Sequence, residues 1–101
     1  MDGPESLFPK DYFEGRANFR AAAADKRYRL TAYTNPYATG PKGEALTTDV
    51  AVLGPADARQ TLLVVSGTHG VEGYAGSGAQ MGFLTQPAFT TTPSDTRIVL
   101  I

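Results

Sequence analysis

The sequence predicts an α/β domain, and three observations carry that expectation. A short continuous apolar run, Leu62-Leu63-Val64-Val65, reads as a strand. A glycine-dense turn and a helix-forming stretch follow it. A second apolar run then begins at Arg97 and continues to Ile101. Strand, loop, helix, strand is one βαβ unit, the repeating piece of α/β folds.

The elements follow in order. Met1–Pro9 reads as an irregular lead-in. A helix is expected from Lys10 to about Asp25. Asp11 and Glu14 lie in its first turn, where the helix dipole favours negative charge. Tyr12, Phe13, Arg16, Phe19, Ala22 and Ala23 recur at helical spacing, and Ala21–Ala24 has the best helix propensity available. The aromatic stripe Tyr12, Phe13 and Phe19 is read as packing, because such stripes bury area first. Tyr28–Tyr33 alternates and suits a strand. Asn35–Gly43 collects Asn, two Pro and two Gly and reads as a loop. Ala45–Leu53 is a second strand, ended by Gly54-Pro55, and the two strands can pair across the loop.

Thr61–Ser66 does not alternate. Such a run predicts a strand buried on both faces, in the middle of the sheet. A helix is expected from about Gly76 or Ser77 to Leu84, then a Pro/Thr loop over Gln86–Ser94, then the apolar strand from Arg97. A buried strand with one edge uncovered needs more sheet beside it. Residues 1–101 are therefore read as the N-terminal part of one larger α/β domain, truncated at its C-terminal end.

Composition narrows the function. Apolar residues make up 42% of the 101 residues and charged residues 19%, an ordinary globular balance. The net charge of -1 leaves no basic stripe for a phosphate backbone, so nucleic acid is not an expected partner. The opening MDGPESLFPKDYFEGR has no apolar core and is not a secretory signal. No apolar run approaches bilayer length, so no membrane partner is expected and a cytoplasmic location is the simplest inference. There is no cysteine, so any metal must be held by His, Asp or Glu.

The segment Ser66-Gly67-Thr68-His69-Gly70-Val71-Glu72-Gly73 holds the only histidine. It lies just past the carboxyl end of the expected strand, where ligands bind in open α/β sheets. A neutral imidazole and a carboxylate both suit Zn²⁺ at about 2.0–2.2 Å. Glycines at 67, 70 and 73 permit the positive φ and close approach that a tight ligand turn needs. His69 and Glu72 are thus the candidate metal ligands, on a loop rather than on a helix face. The plain alternative is a His and a Glu that cap the turn or the following helix.

Other motifs fail. Ser77 has Ala75 where a nucleophile elbow requires glycine. The pattern starting at Gly76-Ser77-Gly78 meets Met81 where a dinucleotide site has its third glycine. These glycines are read as letting the helix start pack closely behind the metal turn. Asp49 is read either as a strand-end carboxylate near the site or, more simply, as a turn or surface charge.

With those residues laid out, Thr61–Gln80 resembles the first metal-binding motif of the carboxypeptidase A-type zinc hydrolases, which include the aspartoacylase-like amidohydrolases. The wording SGTHGVEGYAGSGAQ, preceded by DYFEGRANFR and LTTDVAVLGP, is closer still to an uncharacterised carboxypeptidase-like family, a domain of unknown function. The likeness runs from about Phe8 to Ile101. It implies part of a three-layer mixed-sheet zinc-hydrolase fold, with His69 and Glu72 as Zn²⁺ ligands. The third ligand, a His, and the catalytic Glu of that superfamily lie downstream of the first motif and have no counterpart here. No catalytic residue is therefore assigned within the chain. Gly73 and Tyr74 stand where the superfamily's peptidases carry a substrate-binding arginine.

The implied activity is hydrolysis of an amide or peptide bond in a small-molecule or peptide substrate, by a complete protein of which this chain is the first part. The chain alone is expected to be inactive and poorly stable. Two alternatives stand beside this: a non-catalytic metal-binding or interaction module, and an esterase on the same scaffold.

Overall fold

The computed structural model describes residues 3–68, 73–86, 92 and 95–101. After a 3₁₀ turn at Pro4–Leu7, the elements run α1 (Tyr12–Asp25), β1 (Arg29–Thr39), β2 (Ala45–Leu53), β3 (Gln60–Val64), α2 (Gly73–Thr85) and β4 (Thr96–Leu100). They form an α/β fold with one four-stranded mixed sheet, ordered β1-β2-β4-β3. β1 pairs antiparallel with β2, β2 antiparallel with β4, and β4 parallel with β3. The expected βαβ unit is β3–α2–β4.

Local chemistry explains the boundaries. Asp11 is the N-cap of α1 rather than part of its first turn, and its carboxylate accepts from the Glu14 N–H at 2.8 Å. The helix stops without a glycine. Arg27 takes φ 64°, Tyr28 N–H returns to Ala23 O at 2.9 Å, and Arg27 N–H to Ala24 O at 3.0 Å. That is a Schellman closure. β1 continues through most of the expected loop over 35–43. Pro36 is tolerated because β1 is an edge strand and its register shifts between Thr34 and Thr39. The turn shrinks to 40–44, where Gly40 N–H donates to Glu44 O at 2.8 Å. α2 begins at Gly73, three residues earlier than the glycines suggest.

The core forms where both helices meet one face of the sheet. Phe19 and Ala23 of α1, Leu84 of α2, Ala51 of β2, Ile98 and Leu100 of β4, and Tyr28 make one buried cluster. Register explains the row: Ala51, Leu100 and Val64 are cross-strand neighbours and share a face. Phe19 packs as the aromatic stripe predicts, whereas Phe13 is exposed.

The described residues make two layers, a sheet with helices on one face. One expectation is corrected: among the described residues β3 is an edge strand and not a doubly buried central one. Leu62, Leu63 and Val65 are 45%, 56% and 51% exposed. A continuous apolar run predicts burial on both faces only where both faces of the sheet are covered; among the described residues the helices cover one face, and β3 pairs with β4 alone.

This edge makes a prediction for the 101-residue chain. Exposed apolar strand edges template association. The chain should bind the dye ANS and self-associate, and Leu63→Lys with Val65→Lys should reduce both. Fluorescence and sedimentation check it; unchanged signals in the double variant would show that another surface is responsible. Among the described residues, no helix is long and apolar enough to cross a membrane.

Candidate functional site

The site grows from the carboxyl end of β3. After Val64 the chain passes through Val65 and Ser66 to Gly67, which takes φ 72°. α2 then starts at Gly73, directly against that exit. A Cβ on Gly73 would lie 2.9 Å from Gly67 Cα, and one on Gly76 only 2.7 Å from Ser66 Cβ. Both glycines are required by this approach, as the sequence suggests for Gly76. The stems at Gly67 and Gly73 therefore touch. His69 and Glu72 lie between them in sequence and outside the described residues. Their convergence on one ion falls outside them too.

Beside these stems lies a cleft of about 500 Å³. Tyr12, Arg16 and Phe19 of α1 form one wall, and Thr47 and Asp49 of β2 another. Ser66, Gly67, Gly73, Tyr74, Ser77 and Gln80 bring the β3 exit and α2 to the opposite side. Concave sites with a few convergent polar groups are the usual form of ligand sites.

The polar groups of the α1–β2 wall are tied together. Arg20 Nε and Nη2 donate to Asp49 Oδ2 and Oδ1 at 2.7 and 3.0 Å, and Nη2 also reaches Thr47 Oγ1 at 3.1 Å. Burial works against the Asp49 carboxylate. The hydrogen bonds from Arg20 and Thr47, with the Arg20 and Arg16 cations, outweigh it and hold the carboxyl below the ordinary aspartate range. Asp49 is thus neither a turn residue nor a free surface charge: it fastens β2 to α1. Tyr12 accepts from the Thr47 N–H at 2.9 Å and from Arg16 Nη1 at 3.3 Å. Burial raises its pKa, but the Thr47 hydrogen bonds and the Arg16 charge lower it by more. Reading Tyr12 as packing missed this role. Only the i, i+4 spacing to Arg16 could have signalled it.

Removing the pair should show in stability. The folded Asp49 pKa is depressed, so its contribution is present above the unfolded pKa and lost as pH falls through the folded value. Arg20 is 39% exposed, which discounts the pair for solvent screening. Asp49→Asn should cost about 1–2 kcal/mol at neutral pH, and the gap to wild type should narrow below roughly pH 4. Urea unfolding at pH 7 and pH 3 measures both. An equal gap at the two pH values would contradict an electrostatic role.

Among the described residues, no three His, Cys, Asp or Glu side chains gather to hold a metal. No curated protein and no solved structure matches the chain. A family model described as "Protein of unknown function (DUF2817)" matches residues 8–101, which is nearly the whole sequence, and the chain belongs to that family.

Proposed function

We propose that the chain supplies the first part of a zinc-hydrolase site, in which His69 and Glu72 hold Zn²⁺ and the complete protein cleaves an amide or peptide bond. One observation carries the reading. The stems of the His69–Glu72 segment touch at the carboxyl end of a strand, beside a cleft, with α2 packed behind them. A segment that leaves and returns through one point keeps its donors near each other. The donor chemistry fits: imidazole and carboxylate suit zinc, and the chain has no thiolate. The resemblance of residues 61–80 to the first motif of the carboxypeptidase A-type hydrolases points the same way, and so do the mixed sheet and its βαβ unit.

Zinc would supply Lewis acidity, polarising a carbonyl and lowering the pKa of water. Within this chain, His69 and Glu72 hold the ion, and the glycines at 67 and 73 let their stems meet. The resemblance implies that the third ligand, a His, and the general base, a Glu, lie downstream of this first motif.

The test is hydrolysis by the full-length protein of N-acyl amino acids, short peptides and matched esters, before and after chelation. Chelator-sensitive amide cleavage restored by Zn²⁺ is expected. Stoichiometric zinc without turnover would favour a non-catalytic module, cleavage of esters alone an esterase, and absence of zinc would end the metal reading.

A further inference from the structure

Gln80 is 2% exposed, and it is the buried polar side chain among the described residues. Its amide Nε2 donates to two main-chain carbonyls, Val64 O at 3.1 Å and Ile101 O at 3.0 Å. Both carbonyls already serve the sheet. Ile101 N–H donates to Val64 O at 2.9 Å, and Ser66 N–H donates to Ile101 O at 2.8 Å. These are the last rungs between β3 and β4, and Gln80 takes the remaining lone pair on each.

The helix face explains the placement. Gly73, Gly76 and Gln80 are spaced i, i+3 and i+7, so they lie on one stripe of α2. Gly73 meets Gly67 and Gly76 meets Ser66 at separations that leave no room for a Cβ. The two glycines bring α2 within reach of the strand ends, and the Gln80 amide fastens it there. The strand exit that Gln80 holds is one stem of the His69–Glu72 segment, and its own helix starts at the other.

We propose that Gln80 is a positioning residue for the metal loop: by tying α2 to the ends of β3 and β4, it fixes both stems of the segment that carries His69 and Glu72. This rests on the zinc reading above. The fold does not need the tie, because each carbonyl keeps its ladder partner without it. The glycine contacts bring α2 against the exit of β3, and the Gln80 amide adds hydrogen bonds to the last carbonyls of both β3 and β4, beside the stems.

The experiment compares Gln80→Met with Leu84→Ala in the full-length protein. Met keeps the volume and removes both donors, and Gln80→Leu is the second variant should Met fold poorly. Leu84 is in the core and touches neither stem bond, so its variant controls for stability alone. Gln80→Met should weaken Zn²⁺ binding about 10- to 100-fold, as loss of an orienting partner does. It should also change the visible spectrum of the Co²⁺ form and speed hydrogen exchange at Ser66 N–H. Leu84→Ala should melt lower yet leave zinc affinity and the Co²⁺ spectrum within about twofold of wild type. Wild-type zinc affinity and spectrum in Gln80→Met would overturn the proposal, as would equal losses in Leu84→Ala. A wild-type protein that takes up no zinc would overturn both readings. Zinc uptake that depends on His69 but ignores Gln80 would overturn this one alone.

Discussion

His69→Ala and Glu72→Ala should each strip zinc from the full-length protein and reduce hydrolysis to background. A catalytic zinc is held by about three protein ligands, so each substitution removes roughly a third of the first shell. Loss of a group that merely orients a ligand costs about 10- to 100-fold in affinity, and loss of the ligand itself should exceed that. Neither variant should unfold the protein, because the packing of Gly73 on Gly67 and the Gln80 hydrogen bonds to Val64 and Ile101 use neither side chain. Metal analysis after dialysis, together with melting curves, separates the two effects. Stoichiometric zinc in both variants would refute the ligand assignment.

Leu84→Ala carries the largest expected cost in stability. Leu84 is 1% exposed and belongs to the cluster that joins α1, α2, β2 and β4. Truncating a buried leucine removes transfer energy and leaves a cavity, at about 2–5 kcal/mol. Against a total folding stability of roughly 5–15 kcal/mol, that is a large share. The cost should lie toward the upper end, since Leu84 shares its cluster with Leu100 and Ala51, both fully buried. Denaturant unfolding measures it. A loss below about 1 kcal/mol would mean that the two helices do not share one core with the sheet.

The sequence made some of this legible and hid the rest for identifiable reasons. Ala45–Leu53 matches its strand because the Gly54-Pro55 break is unambiguous. Gly54 takes φ 109°, with Thr96 O 2.6 Å from where a Cβ would be. The βαβ unit was legible because two apolar runs flank one helix. The length of β1 is hidden by Asn35 and Pro36, which carry loop signals and are acceptable in a strand only because β1 is at the edge of the sheet. The edge position of β3 is not legible in its sequence, because an apolar run reports hydrophobicity and not whether both faces of the sheet are covered. The start of α2 was hidden by glycines at 73, 76 and 78, which lower helix propensity but are demanded by contacts with Gly67, Ser66 and Phe8. Gln80 escaped notice because a glutamine in a helix carries no signal of burial. Asp49 and Arg20 lie 29 residues apart, and pairing across that distance is set by the fold alone.

The central claim is that one zinc ion sits between His69 and Glu72. Anomalous diffraction at the zinc edge, on crystals of the zinc-loaded full-length protein, tests it directly. The account predicts a single strong peak with a His69 ring nitrogen and a Glu72 carboxylate oxygen both about 2.0–2.2 Å away. A peak on other residues, or two side chains whose donor atoms stand more than about 6 Å apart with no shared ion, would contradict it.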